Sequence, residues 1–292
     1  MKRNHSGVRF KFPSIIRRLG EHKISTIGFF ISFVIVLASV LAPWLGLHDP
    51  SDSDLSRRLL PAIWSEGGRK GFIFGTDYLG RDLLSRVIYG GRITLSAGLG
   101  SVFLAAFVGL IVGSFSLFSV HLDNLAMRIM DMFFAFPSML LALAIMAILG
   151  SGLFNAVVAI AIVYTPMMAR VVRGQMIQIK EQNFILAARA LGAGKLRIML
   201  HHAIINLLPT MIIYGSLLAG RSILTIASLS FLGLGAKPPL PEWGAMLSES
   251  RNLMLLGVWW GILLPGIAIF LTVLSLNMMG DSLRDYLDPR LN

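Results

Sequence analysis

The chain has 292 residues, of which 55% are hydrophobic and 14% charged, and its mean hydropathy is +0.73. A soluble globule of that length has too little interior to hide so much apolar surface, so the composition asks for lipid. The absence of cysteine excludes disulfides, thiolate metal sites and cysteine nucleophiles, and the net charge of +11 carries meaning through where Lys and Arg fall along the chain.

A helix rising about 1.5 Å per residue needs roughly 20 apolar residues to cross about 30 Å of hydrocarbon. After a basic segment at 1–23, the run 24–47 meets that length. Basic residues also precede a signal peptide, but this run is too long for one and lacks the usual small-residue cleavage site, so a permanent span is expected. The loop 48–92 carries seven basic residues, nearly balanced by Asp49, Asp52, Asp54, Glu66, Asp77 and Asp82, and reads as a folded external element. A second span runs from Ile93 to Val120. Met132 to Ala169 is too long for one ordinary span, and Gly150-Ser151-Gly152 cuts it into a hairpin of spans three and four. Ile198 to Ala236 holds a fifth span of about 25 residues with a Gly-rich exit, and the sixth lies within Asn252 to Gly280.

The fold class expected is therefore all-α, with six membrane helices. With the N-terminus inside, the inner segments carry 16 basic residues and the outer segments nine, which favours both termini, including 281–292, in the cytosol.

What is missing narrows the function. No Gly-x-x-x-x-Gly-Lys-Ser/Thr loop is present to cradle phosphates, and the five apolar runs contain no Asp or Glu to couple an ion gradient. Neither His-Glu-x-x-His nor Gly-x-Ser-x-Gly occurs, and His201 and His202, neighbours about 100° apart on a helix, read as interfacial polar residues. Asn4-His5-Ser6 matches a glycosylation acceptor by chance, on the cytosolic side. The 15 Met and 28 aromatic residues are assigned to packing and lipid contact, with no cofactor.

Between the fourth and fifth spans, Arg170 to His202 forms a long basic inner loop. Its centre, Phe184 to Gly192, begins with good helix formers and ends on a glycine suited to a C-cap, which predicts a short helix beneath the membrane. Ala187 and Ala188 are small enough for close approach by another protein; a plain interfacial helix resting on headgroups is the alternative.

Phe184 to Pro209 resembles the cytoplasmic coupling loop of ABC importer permeases, in which Glu-Ala-Ala is followed three residues later by Gly and then by an apolar stretch. Ala187, Ala188 and Gly192 match; Leu186 replaces the Glu, Ile205 stands where many relatives have Pro, and Pro209 matches a second common proline. Four further stretches resemble the dipeptide, oligopeptide, nickel and glutathione branch. They are Gly75 to Asp82 with Ser85 and Arg86, Met127 to Asp131 with Pro137, Ser230 to Met246, and Gly280 to Pro289.

The resemblance implies a type I permease fold in a bacterial inner membrane, with a five-helix core over 93–280 and a coupling loop at 173–202. It also implies partners: a second homologous permease, two ATP-binding subunits that hold ATP and magnesium, and an extracytoplasmic substrate-binding protein, with membrane lipid around them and no nucleic acid. This chain would bind no cofactor and hydrolyse no ATP. Coupling would fall to Leu186, Ala187, Ala188, Arg189 and Gly192. Docking of the binding protein would fall to Asp77, Arg81, Asp82, Arg86, Pro239, Glu242 and Trp243. Peptide is the first-choice substrate on family frequency, and a passive channel or a non-transporting scaffold is the rival class.

Several residues invite a physical reading of their own. Asp77, Arg81, Asp82 and Arg86 sit three to five apart, so a helix would pair their charges on neighbouring turns. Arg128 and Asp131 form an i, i+3 pair at the inner mouth of span three. Arg221 is the lone charge in the fifth span, where exposure to lipid costs about 2.5 to 3.5 kcal/mol; it is a candidate lining residue of the pathway, and the competing account is snorkelling toward the outer interface, since Gly233 lies about 18 Å further along a helix. Gly109 with Gly113 and Gly257 with Gly261 are read as close-packing pairs within spans, and Pro166 and Pro265 as kinks in spans four and six.

Overall fold

A computed structural model describes residues 23–287, and the basic N-terminal segment and the Leu287-Asp288-Pro289 match fall largely outside that range. Nine helices organise the described residues: α1 Lys23–Leu41, α2 Leu83–Gly113, α3 Val120–Phe134, α4 Ser138–Leu149, α5 Leu153–Ile179, α6 Asn183–Ala190, α7 Ile204–Phe231, α8 Trp243–Ser250 and α9 Trp260–Leu287. Short helical turns join several of them. Five helical stretches are long and apolar enough to span a bilayer, and a bent sixth is formed by α3 and α4 together.

Three boundaries depart from the sequence reading. The second span begins at Leu83, ten residues before Ile93, because the Asp82 side chain accepts from Ser85 N and caps the helix at that point. The third span is broken: α3 and α4 meet at 97°. Pro137 lacks an N–H and biases the preceding Phe136 away from helix, so only the 12 residues of α4, about 18 Å, continue past the bend. The sixth span begins at Trp260, inside the expected range, but its helix runs on past Gly280 to Leu287; Gly257, with φ of +79°, lies in the turn before it, so Gly257 and Gly261 are not a pair within one helix.

Other expectations match the coordinates. Gly150 and Gly152, at φ +83° and +155°, make the turn between α4 and α5, a backbone path open to glycine. Gly109 and Gly113 bring α2 against α5 so closely that a Cβ at Gly109 would lie 2.9 Å from Ala169 N, and one at Gly113 2.6 Å from Ala169 O. Helices α2, α5 and α7 share the main core, with Ala105, Ile160, Met168 and Ile226 fully buried within it.

The connections place the turns at two ends of the bundle. At one end Gly152 N donates to Leu234 O at 2.8 Å, which ties the α4–α5 turn to the exit of α7 and the approach to α8. At the other end lie α6 and the start of α7, and there Ser282 of α9 bonds Ser25 of α1 at 2.6 Å. The first and last described helices therefore end on the side that carries α6.

Candidate functional site

At the α8 end, charge is buried. Asp77 Oδ1 accepts from Leu79 N at 2.8 Å and Arg81 N at 3.0 Å, closing a local turn, while its Oδ2 accepts from Arg81 Nε at 2.7 Å and lies 3.5 Å from Arg86 Nε. Both arginines then converge on Glu249 Oε2 of α8, Arg81 at 2.7 Å and Arg86 at 2.9 Å. Two positive and two negative charges thus neutralise one another where each would be costly alone. Asp82 stands apart from this quartet, bonded to Ser85 and lying 3.6 Å from His48 Nδ1.

The helix expected to pair Asp77, Arg81, Asp82 and Arg86 does not exist before Leu83. Asp77 and Arg81 meet through a turn, and Arg86 pairs with Asp77 and Glu249 in place of Asp82. Glu249 was not singled out in the sequence, yet its signal was available. It is the one acidic residue within α8, and Glu242 stands just before that helix as its N-cap.

Glu242 caps that helix, accepting from Gly244 N at 3.0 Å, Ala245 N at 2.9 Å and the Thr94 hydroxyl of α2 at 3.2 Å. Burial pushes its carboxyl above the usual range, and the bonds from Gly244 and Ala245 pull the other way. The Trp243 indole donates to Val87 O at 2.8 Å and occupies space left by two glycines: a Cβ at Gly90 would lie 3.0 Å from the indole and one at Gly91 3.1 Å.

Asp77, Arg81, Asp82, Arg86, Glu242 and Trp243 are all buried, so a second protein cannot touch their side chains while the chain holds this conformation. Of the residues expected to dock a binding protein, Pro239 alone is on the surface, within an exposed run 237–240. Arg81, Arg86, Glu242 and Trp243 link α8 to α2 and the turn before it, Asp77 joins them through the two arginines, and Asp82 caps α2.

At the opposite end, α6 carries Leu186, Ala187, Ala188 and Arg189. Ile185 is fully buried and anchors the helix, while Leu186 is 50% exposed, Leu191 is 88% exposed, and Ala187 and Arg189 are also open. Gly192, at φ +82°, closes a Schellman cap in which Ala193 N donates to Ala188 O at 3.0 Å. Nearby, Arg173 of α5 grips Asp123 of α3 through two bonds of 2.7 Å, and Arg170 donates to Asp131 at 2.6 Å while lying over the Phe134 ring. Asp131 therefore finds its partner across the bundle and not at Arg128, which is exposed. Arg221 is also exposed, on α7. Among the described residues no cluster of three or more His, Asp or Glu side chains is arranged to hold a metal.

Among the described residues, five helices and one bent pair are long and apolar enough to cross a membrane, with the buried charge cluster at one end of the bundle and the exposed helix α6 at the other. Residues 101–292 match the family described as binding-protein-dependent transport system inner membrane component. The chain belongs to that family. Residues 14–62 also match the N-terminal transmembrane domain of oligopeptide transport permease C. The permease is 44% identical over 265 residues to the di/tripeptide transport system permease protein of Pseudomonas aeruginosa, covering 90% of this chain and 87% of that one. It is 42% identical over 272 residues to the glutathione transport system permease protein of Escherichia coli, covering 93% and 88%. A dipeptide transport system permease protein of Alkalihalophilus pseudofirmus is 41% identical over 279 residues, covering 94% and 88%. The protein is thus a multi-pass inner-membrane permease subunit of an ABC importer, and not itself an ATPase.

Proposed function

We propose that this permease imports di- or oligopeptides, and that its inner helix α6 is the point at which ATP-hydrolysing subunits drive it. The observation that carries the reading is the exposure of Leu186 on α6 and of Leu191 at its C-terminal cap, on a helix whose buried anchor is Ile185. Apolar side chains that stand in water beneath a membrane are covered by protein when the complex is assembled. The peptide assignment rests on the di/tripeptide and dipeptide permeases among its relatives.

The working unit is then this chain, a second homologous permease that completes the path, two subunits that bind ATP and magnesium, and an extracytoplasmic binding protein that delivers substrate near 237–240. Both termini lie in the cytosol, the five-helix core runs from the start of α2 at Leu83 to the end of α9 and the coupling loop spans 173–202. Closure of the ATP subunits pulls on α6, and through the contiguous helices α5 and α7 this shifts the balance between inward-open and outward-open states. The rival classes, a passive channel and a scaffold, leave the exposed α6 surface without a purpose.

Placing an aspartate at Ala187, an exposed position, tests the reading in the assembled transporter. Membrane insertion should remain normal, while co-purification of the ATP-binding subunits and ATP-dependent uptake should both fall. Undiminished uptake by Ala187→Asp would remove α6 from the coupling role.

A further inference from the structure

Resting on the peptide-import reading, we infer that Arg221, flanked by the Tyr164 hydroxyl, is a mid-membrane station for the terminal carboxylate of the passing peptide.

The rotation of α7 leaves Arg221 one direction to face. On one side Ser222 Oγ donates to Gly98 O of α2 at 3.1 Å and pairs with Ser101, while Ile223 presses into the space left by Gly98. On the other side Gly220 abuts Asn277 of α9, 3.2 Å from where a Cβ would stand. With about 100° between successive residues, Arg221 projects between these two contacts, together with exposed Leu224 and half-buried Ser228. Thr225, one turn further on, bonds the Tyr164 hydroxyl of α5 at 3.1 Å, so this face has a polar flank.

Depth supports the same conclusion. Arg221 lies ten residues from Phe231 at the outer end of α7, about 15 Å, and Tyr164 lies 11 residues from Leu153 at the outer end of α5, about 17 Å. Both are near the middle of a hydrocarbon layer of about 30 Å, beyond the helix-end positions from which arginine snorkels. Among the described residues Arg221 forms no ion pair. A cation held there without a counter-charge faces water or an anion, and a guanidinium matches a carboxylate in shape and charge. The free carboxylate is the anionic group that every linear peptide carries, whatever its side chains.

The test uses the complete transporter, purified through a tag on this chain and reconstituted with its binding protein, with Ala-Ala and Ala-Ala amide as probes. Because both probes meet the same binding protein in every variant, its own preference cancels when variants are compared. Arg221→Gln should lower the acid-to-amide uptake ratio about tenfold relative to wild type, and Arg221→Lys should restore most of it. As the natural chain has no cysteine, Arg221→Cys offers one thiol on this subunit, which a membrane-impermeant sulfonated thiosulfonate should label in the assembled complex. An unchanged ratio in Arg221→Gln, or a thiol that resists labelling, overturns the inference. If wild type accumulates neither probe, the peptide reading itself falls and takes this station with it.

Discussion

Arg81 donates to Glu249 at 2.7 Å across 168 positions of sequence, and this bond, with that of Arg86 to the same oxygen, fastens the start of α2 and the turn before it to the short helix α8. Both arginines are almost wholly buried, so removing one partner strands charge in a place water does not reach. Glu249→Ala should destabilise the permease by roughly 3 to 5 kcal/mol, seen as a lower melting midpoint and poor yield in detergent. Arg86→Met with Glu249→Leu, which leaves Arg81 with Asp77, should recover more than half of that loss. A double variant no better than the single one would show that the cluster does more than balance charge.

The slot beneath Trp243 predicts intolerance of a single methyl group. A Cβ at Gly90 would lie 2.1 Å from the backbone oxygen of Pro241, which cannot swing aside, so Gly90→Ala should cost about 1 to 3 kcal/mol. At Gly91 the nearest atom is the Ser39 hydroxyl, also at 2.1 Å, and Ser39→Ala should therefore partly rescue Gly91→Ala while leaving Gly90→Ala unrelieved. Thermal melts of the four variants check this; equal rescue of both glycines would be inconsistent with the geometry.

Glu242 sets a pH dependence. Burial raises its folded carboxyl above the unfolded value of about 4.3, so the folded protein holds this proton more tightly. Stability from this group is greatest below that pH, declines as pH rises through the window up to the raised folded value, and is flat beyond. Glu242→Gln, which does not titrate, should flatten this part of the profile of melting midpoint against pH. A profile of unchanged slope in Glu242→Gln would assign the dependence to another group.

The paired bonds from Arg173 to Asp123 hold α3 against α5 where the third span has broken. Asp123→Asn keeps the size of the side chain but discards the charge that both bonds use. Backbone amides in 120–134 should exchange about tenfold faster, equivalent to ~1.4 kcal/mol, while those of α2 and α7 stay as they were. Exchange that accelerates evenly over the whole chain would point to general destabilisation.

Membrane class, approximate spans, the α4–α5 turn and the short helix with its glycine cap were legible in the sequence because each is set locally. Hydrophobic length, a backbone angle that only glycine adopts freely, and helix propensity are properties of a few adjacent residues. The clasp at α8 was legible only in part. Charges at 77 to 86 announced themselves, but the ladder of hydropathy ends a span at the first arginines, whereas α2 extends back to its Asp82 cap at Leu83 and its buried Arg86 is paired with Glu249 from α8.

The choice of partner is where tertiary structure decided. Asp131 had Arg128 one turn away and bonds Arg170 instead, 39 residues on, because the 97° bend at Pro137 turns α3 toward α5. The facing of Arg221 was likewise undetermined until Ser222 and Gly220 were seated against α2 and α9. Sequence by itself determined that this chain crosses a membrane, where α4 turns into α5 and where the short helix α6 ends. Only the packed bundle determined which charges meet and which stay open, since a side chain's direction depends on how its helix is rotated, and that rotation is fixed by contacts far away along the chain.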